Sequence, residues 1–391
     1  MATITYLTGW EHGVLSLSGG GLANDWTNAS VSSALSRSGT YAVRLNPTAA
    51  VGYWEKAIDG ASPTVIVARL YVRYATLPGS NALVFNDDNA STNLGIGYKH
   101  ADGKFATFLN DIYGTSGGPT VTTDTWYRID LKLDASTGTA TVDAQVDGVA
   151  LPQSSGAFAS AAFNAYKIGS NNSSVTMDLY ADDFVASHTS GDYPLGDGYV
   201  RGFSPNASGT HNLEASPSSA FFEDSIGEIA LQTNETASWA TLDDVPLGAD
   251  EDHVLLENDA SLTAAHYAEY AFADCSDSAT IQAVRALVTL RQDTAANCVI
   301  DARLREGGSD GVIYSGDVNS TFRTYKGATF ATKPSGGAWT DSAFDAMTLR
   351  YGFTTDADGR VRLDSAMLEA ALVPVVGTAS VPRILRSNLR W

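Results

Sequence analysis

Trp126-Tyr127-Arg128-Ile129-Asp130-Leu131-Lys132-Leu133-Asp134, then Thr137-Gly138-Thr139, then Ala140-Thr141-Val142-Asp143-Ala144-Gln145-Val146-Asp147-Gly148: this stretch decides the fold class. Ile129, Leu131 and Leu133 alternate with Asp130, Lys132 and Asp134. After the Thr137-Gly138 turn, Ala140, Val142, Ala144 and Val146 alternate with Thr141, Asp143 and Gln145. Successive side chains of a strand point to opposite faces, so the pattern predicts a half-buried antiparallel hairpin. Asp147-Gly148 supplies the next tight turn, because both residue types tolerate positive φ. Upstream, Leu70, Val72 and Tyr74 alternate with Arg69, Tyr71 and Arg73.

The same period recurs in the second half. Val284, Ala286, Val288 and Leu290 oppose Arg285, Thr289 and Arg291. Cys298, Ile300, Ala302 and Leu304 oppose Asp301, Arg303 and Arg305, and the two runs are expected to form another long hairpin. One short helix is expected at 341–347 with Thr340 as its N-cap. Residues 361–373 are rich in helix formers but follow a hairpin-like Asp356-Ala357-Asp358-Gly359, and are read as a strand bulged near Asp364-Ser365. The fold class expected is all-β, with two antiparallel jelly-roll-type β-sandwich domains in tandem.

Composition bounds the function. The chain has 391 residues, 44 acidic against 24 basic side chains, a formal net charge of −20, 44% hydrophobic residues and two cysteines. That length accommodates two or three domains, and that apolar content excludes a disordered chain. No apolar run approaches the roughly 20 residues of a membrane-spanning helix. The negative charge argues against a nucleic-acid partner, which calls for clustered Lys and Arg. Two cysteines exclude a disulfide scaffold and a Cys-rich zinc site, leaving a single Cys275–Cys298 bond open. Met1-Ala2-Thr3-Ile4-Thr5-Tyr6 has neither the basic nor the apolar segment of a signal peptide.

Residues 189–217 are dense in Gly, Pro, Ser and Asp and are placed as the connection between a first sandwich at 1–188 and a second at 218–376. Tyr193, Leu195, Tyr199 and Phe203 give that connection something to bury. Residues 377–391 form an Arg-containing tail that reverses the acidity of the body. Arg383, Leu385, Arg386, Arg390 and Trp391 are its candidate docking residues.

Two resemblances follow from these residues. The run from Asp124 to Asp134, with Thr137-Gly138-Thr139 and Val146-Asp147-Gly148, resembles the laminin-G-like and concanavalin-like jelly-roll family. Gly39-Thr40-Tyr41-Ala42-Val43-Arg44-Leu45 and Asp178-Leu179-Tyr180-Ala181-Asp182-Asp183-Phe184-Val185 look like further strands of that family. The likeness covers roughly residues 3–188 and implies a sandwich shared by lectins, glycosidases and inert modules alike. Residues 220–375 are similar in pattern to structural proteins of tailed bacteriophages, through Trp239-Ala240-Thr241-Leu242, Arg303-Leu304-Arg305-Glu306-Gly307-Gly308 and Gly336-Gly337-Ala338-Trp339. What this second likeness implies is a non-enzymatic virion component, tail-associated or capsid-decorating. It would be made in the host cytoplasm, pack against other virion proteins, act as a homo-oligomer and carry a glycan-adhesion module for the host surface. The alternative is a secreted carbohydrate-binding protein or a glycoside hydrolase on a concanavalin-like fold.

Few residues signal chemistry. The Glu-x-Asp-x-x-Glu type of run of the family's glycosidase branch is absent, and so are a Gly-x-Ser-x-Gly elbow and a phosphate loop after Gly19-Gly20-Gly21. Asp130 and Asp134 read as a solvated strand face, and the six histidines show no ligand spacing. No catalytic residue is therefore assigned. Calcium is the one candidate cofactor, because Asp87-Asp88-Asn89, Asp182-Asp183 and Asp250-Glu251-Asp252 are rich in oxygen ligands. Sugar sites pair an aromatic platform with Asn and Asp in loops. Such pairings occur in Tyr53-Trp54, Asn86-Asp87-Asp88-Asn89 and Asn110-Asp111-Ile112-Tyr113. The glycan-binding candidates are Tyr53, Trp54, Asp87, Asn89, Asn110 and Tyr113.

Overall fold

The hairpin that sets the fold class is present. Trp126–Asp134 pairs antiparallel with Thr139–Val146, from Ile129 opposite Val146 to Asp134 opposite Thr141. Every apolar residue of the alternation is buried in one core. Asp147 and Gly148 take φ of 50° and 82°, as a two-residue hairpin turn requires. The computed structural model describes residues 2–15, 24–58, 62–89, 92–158, 162–208, 221–225, 228–232, 254–258, 267–275, 279–292, 299–317, 324–353 and 359–375. The candidate tail residues Arg383, Leu385, Arg386, Arg390 and Trp391 lie outside them, as do Cys298 and Asp250-Glu251-Asp252.

The chain is nearly all β, and its antiparallel sheets form two sandwiches. Sheet 1 runs in the order Ile112–Tyr113, Lys104–Leu109, Thr92–Lys99, Ala82–Asn89, Ala165–Val175, Ala50–Ala57, Asn24–Thr27. Sheet 2 faces it across the first core and is centred on Trp126–Asp134, Val65–Thr76 and Asp178–Ser187. Sheet 3 is centred on Gly359–Pro374 and Ala279–Gln292, and sheet 4 on Tyr267–Phe272, Met347–Phe353 and Val299–Glu306. Sheets 3 and 4 enclose the second core.

The local signals of the second half hold where they are short-range. The helix spans Asp341–Asp345, and the Thr340 hydroxyl accepts the Ala343 N–H at 3.1 Å. Thr289 pairs with Ser365 and Leu290 with Leu363, so Asp364 is the extra residue of a bulge. The long hairpin expected from 284 to 304 is not there. Ala279–Gln292 pairs with Gly359–Pro374 and Thr324–Phe330, whereas Val299–Glu306 pairs with Met347–Phe353 and Ser309–Asp317. The two strands belong to opposite sheets and meet through their apolar faces across the core. Alternation reports which face is buried and is silent about which strand lies alongside.

The Gly- and Pro-rich connection is not a spacer. Tyr199–Phe203 pairs with Gly359–Pro374, and Pro205–Ser208 pairs with Tyr267–Phe272, so these residues are strands of the second sandwich. Residues 189–198 lie on the outward face of sheet 2. They are fixed there by a bulge in Asp178–Ser187, whose register slips between Asp182 and Val185 with Asp183 at φ 54°. The bulge turns two fully buried carboxylates away from the core. Asp183 accepts the Val200 N–H and the Ser38 hydroxyl at 2.6 Å each, and Asp182 accepts the Arg37 N–H at 2.7 Å. The Arg37 guanidinium bonds Asp183 at 2.6 Å and the Gly198 carbonyl at 2.9 Å, with its carbon 3.4 Å above the Tyr71 ring. Asp130 accepts the Gly196 N–H at 2.9 Å, and the Tyr71 hydroxyl bonds Asp197.

Two expectations are corrected by this arrangement. Asp182-Asp183, considered as calcium ligands, spend their oxygens on backbone N–H groups, Ser38 and Arg37. Asp130, read as solvated, is fully buried beneath the connection. Because Asp183 has no exposed surface, Arg37→Ala leaves a buried carboxylate without its cation. A loss of about 3 kcal/mol is expected, read as a lower urea midpoint.

Candidate functional site

The outward face of sheet 2 is covered by the connection and the second sandwich, so the first sandwich keeps one other broad face, that of sheet 1. Strand phase decides which residues it presents. In Ala50–Ala57, Trp54 points inward and packs on Trp10, Phe184 and Tyr6 at ring-centroid distances of 5.3, 6.3 and 6.5 Å, leaving Tyr53 and Glu55 outward. In Ala165–Val175, Tyr166 and Ile168 are core and Lys167 is outward. In Ala82–Asn89, Phe85 is core and Asn86 takes the opposite phase. Leu94, Ile96 and Tyr98 point inward from Thr92–Lys99, so Gly95 and Gly97 face out.

Register joins these residues into a single row. Glu55 pairs with Lys167, Lys167 with Asn86, Asn86 with Gly95, Gly95 with Phe108, and Phe108 with Tyr113. Directly opposed residues share a face, so six strands contribute one side chain or glycine each to a continuous line. At one end the Lys167 ammonium lies 2.7 Å from the Glu55 carboxylate and 4.4 Å above the Tyr53 ring. At the other, Tyr113 lies against Phe108 with centroids 5.6 Å apart. Gly97 makes room for it, because a Cβ there would sit 2.6 Å from the Tyr113 hydroxyl.

Asn86 lies at the middle of the row. It is fully buried, and neither its Oδ1 nor its Nδ2 has a hydrogen-bond partner among the described residues. An unsatisfied buried amide costs on the order of 1–3 kcal/mol. The Tyr113 hydroxyl is likewise buried and unpartnered among the described residues. Burial, with Asp111 adding to it, pushes this phenol above its ordinary range, so it stays protonated and able to donate. The row therefore brings together an amide, a phenol, an ion pair and an aromatic wall, of which Asn86, Phe108 and Lys167 are buried.

The sequence candidates divide between two faces. Tyr53 and Tyr113 share the outward face, and Asn110 sits beside Tyr113 at a hairpin tip, with φ 53° and its amide donating to the Ala157 carbonyl at 3.3 Å. Trp54 and Asp87 are reassigned away from ligand contact. Trp54 is a core residue, and the fully buried Asp87 carboxylate accepts the N–H groups of Asn164 and Ala165 at 3.2 and 3.3 Å. The Asn89 side chain lies outside the described residues. Asn86 belongs to a run quoted above without being singled out, and Lys167, Glu55 and Phe108 carry no local signal of a site. What marks them is the register between strands, which no short pattern contains. Among the described residues no three His, Cys, Asp or Glu side chains come together as a metal-ligating group.

No protein-family model matches the chain, and no curated protein matches it. Solved structures similar to it include the CBM22-1–CBM22-2 tandem domain of Xyn10C from Paenibacillus barcinonensis, at TM-score 0.27 and 9% identity over 94% of this chain and 98% of that one. Domain 4 of AbnA, a GH43 extracellular arabinanase from Geobacillus stearothermophilus in complex with arabinotriose, gives 0.30 and 16% over 47% and 92%. An endo-1,3-beta-glucanase from Streptomyces sioyaensis gives 0.33 and 9% over 47% and 96%. Likenesses at this level decide neither fold nor function.

Asn86→Leu tests whether Asn86 is there for stability. Removing an unsatisfied amide in favour of a similar apolar shape is expected to leave the melting temperature unchanged or raise it, by the equivalent of about 1 kcal/mol. A lowered melting temperature means the amide has a partner in the folded protein.

Proposed function

We propose that this chain is a non-enzymatic carbohydrate-binding protein that contacts its glycan through the outward face of sheet 1. The observation that carries this reading is Asn86, a buried amide with no hydrogen-bond partner among the described residues, held at the centre of a row whose ends are aromatic. A sugar ring presents hydroxyls that both donate and accept, and C–H faces that lie on aromatic rings. The row matches both features. Lys167 and Tyr113 stand on either side of the amide along the row. Glu55, the carboxylate of the row, is engaged by Lys167, whereas glycoside hydrolysis calls for two carboxyl groups facing one bond at about 5–5.5 Å for retention.

The setting we propose is the outside of a tailed-bacteriophage particle, in several copies, so that weak sites add by avidity. The sequence likeness of residues 220–375 supports that setting, and the glycan reading does not depend on it. A glycan array probed with the whole chain is the direct test. A defined set of bound glycans is expected, with Asn86→Ala and Tyr113→Ala each weakening binding at least about tenfold, or roughly 1.4 kcal/mol, while circular dichroism stays unchanged. A blank array overturns the binding reading, and turnover of any polysaccharide overturns the non-enzymatic one.

A further inference from the structure

The seam between the sandwiches holds a buried carboxyl group of its own. Glu11 is 5% exposed and lies between the two units. Its carboxylate accepts the Thr40 N–H at 2.9 Å and fills the space beside Gly39, where a Cβ would sit 2.1 Å from Oε1. The stem of the same side chain rests on Gly202 of the second sandwich, where a Cβ would sit 2.7 Å from the Glu11 Cβ. Gly39 is at φ 59°, so a larger residue is disfavoured there on backbone grounds as well. Two glycines from different units thus grip one acidic side chain. A cleft of about 260 Å³, lined by Glu11, Thr40, Tyr41, Gly202, Ser204 and Met367, gives solvent a route to it.

The charges around Glu11 make ionisation costly. Glu369 faces it from the second sandwich and Asp183 from the first, with the buried Asp182 beside Asp183. The neighbouring cations Arg37 and Arg285 are already paired with Asp183 and Glu369, and His12 lies 3.6 Å from Glu369. We propose that Glu11 makes the seam a pH-sensitive latch, closed while its carboxyl is protonated and released as it ionises.

Burial, with Glu369 and Asp183 adding to it, pushes Glu11 from its ordinary 4.5 up to about 8. Docking therefore takes up a proton between these values. The contribution of Glu11 to the seam is complete below about 4.5, falls as pH rises towards 8, and is gone above it. Glu369 runs the other way. Burial alone would raise it, but His12 and Arg285 outweigh burial and hold it below its ordinary 4.5, so its support is lost only in acid. Asp182 is raised by burial, then by Asp183 and Glu11, but the N–H groups that hold it belong to Arg37, Ser38 and Asp183 in the first sandwich, so undocking leaves them in place.

Hydrogen exchange on the full chain tests the latch at the Gly9 and Glu11 amides, with the Leu131 amide as the core control. Protection of the seam amides, corrected for the intrinsic rise of exchange with pH, is expected to fall about tenfold per pH unit between about pH 5.5 and 7.5 and to level off above about 8. The core amide is expected to stay flat, and Glu11→Gln to abolish the seam slope. A flat seam in the wild type, a slope shared equally by the core, or the same slope in Glu11→Gln overturns the proposal. If Glu11→Gln does not give a native circular dichroism spectrum, the wild-type contrast between seam and core decides by itself.

Discussion

Glu369, fully buried on Gly359–Pro374, accepts the N–H groups of Gly9 and Glu11 at 3.3 and 3.2 Å and the Thr8 hydroxyl at 3.4 Å, and so ties the two halves of the protein together. His12 and Arg285 lie 3.6 and 3.5 Å from it. Arg285 in turn donates to the Leu7 carbonyl at 3.1 Å and the Tyr6 hydroxyl at 3.2 Å, with its guanidinium 4.6 Å from the Tyr6 ring. A buried charge is tolerable only when its partners are all in place. The end of the first strand, the turn after it and two strands of sheet 3 must therefore come together or not at all.

The rest of the seam is arranged around that constraint. Val65, Val67 and Val185 from the outward face of sheet 2 join Ile4, Leu7, Leu195 and Val200 against Ala283 and Ala371 of sheet 3 in one apolar cluster. The four sheets consequently stack in the order 1, 2, 3, 4. Sheet 2 is spent on the seam, whereas the row from Glu55 to Tyr113 lies on the far side of the first sandwich, away from the second. While docked, the seam also gives that face a fixed direction relative to the second half.

The strands were legible in the sequence wherever a residue's environment is set by near neighbours. The 129–146 hairpin, the Thr340 cap and the bulge at Asp364 depend on spacing within a few residues, and each is found. Long-range pairing was not legible. The strands carrying Val284 and Ala302 look like hairpin partners because each buries one face, yet they face each other across a core. The same limit applies to the site. Tyr53 and Trp54 are adjacent and equally aromatic, and only the packing of Trp54 on Trp10 and Phe184 shows which one points inward. Asn86 and Lys167 become neighbours through a register between strands far apart in the chain. Asp182 and Asp183 looked like metal ligands because a run of acids carries no sign of the bulge that buries them.

Scanning calorimetry of the wild type against Glu369→Gln tests the coupling of the two sandwiches most directly. At about pH 5, where Glu11 is protonated and Glu369 ionised, the wild type is expected to unfold in a single transition. Glu369→Gln leaves Arg285 buried without its counter-charge at a cost of about 3–5 kcal/mol, and is expected to separate the trace into two transitions, one for each sandwich. A Glu369→Gln trace with one transition at the wild-type temperature would contradict the claim that this carboxylate holds the halves together.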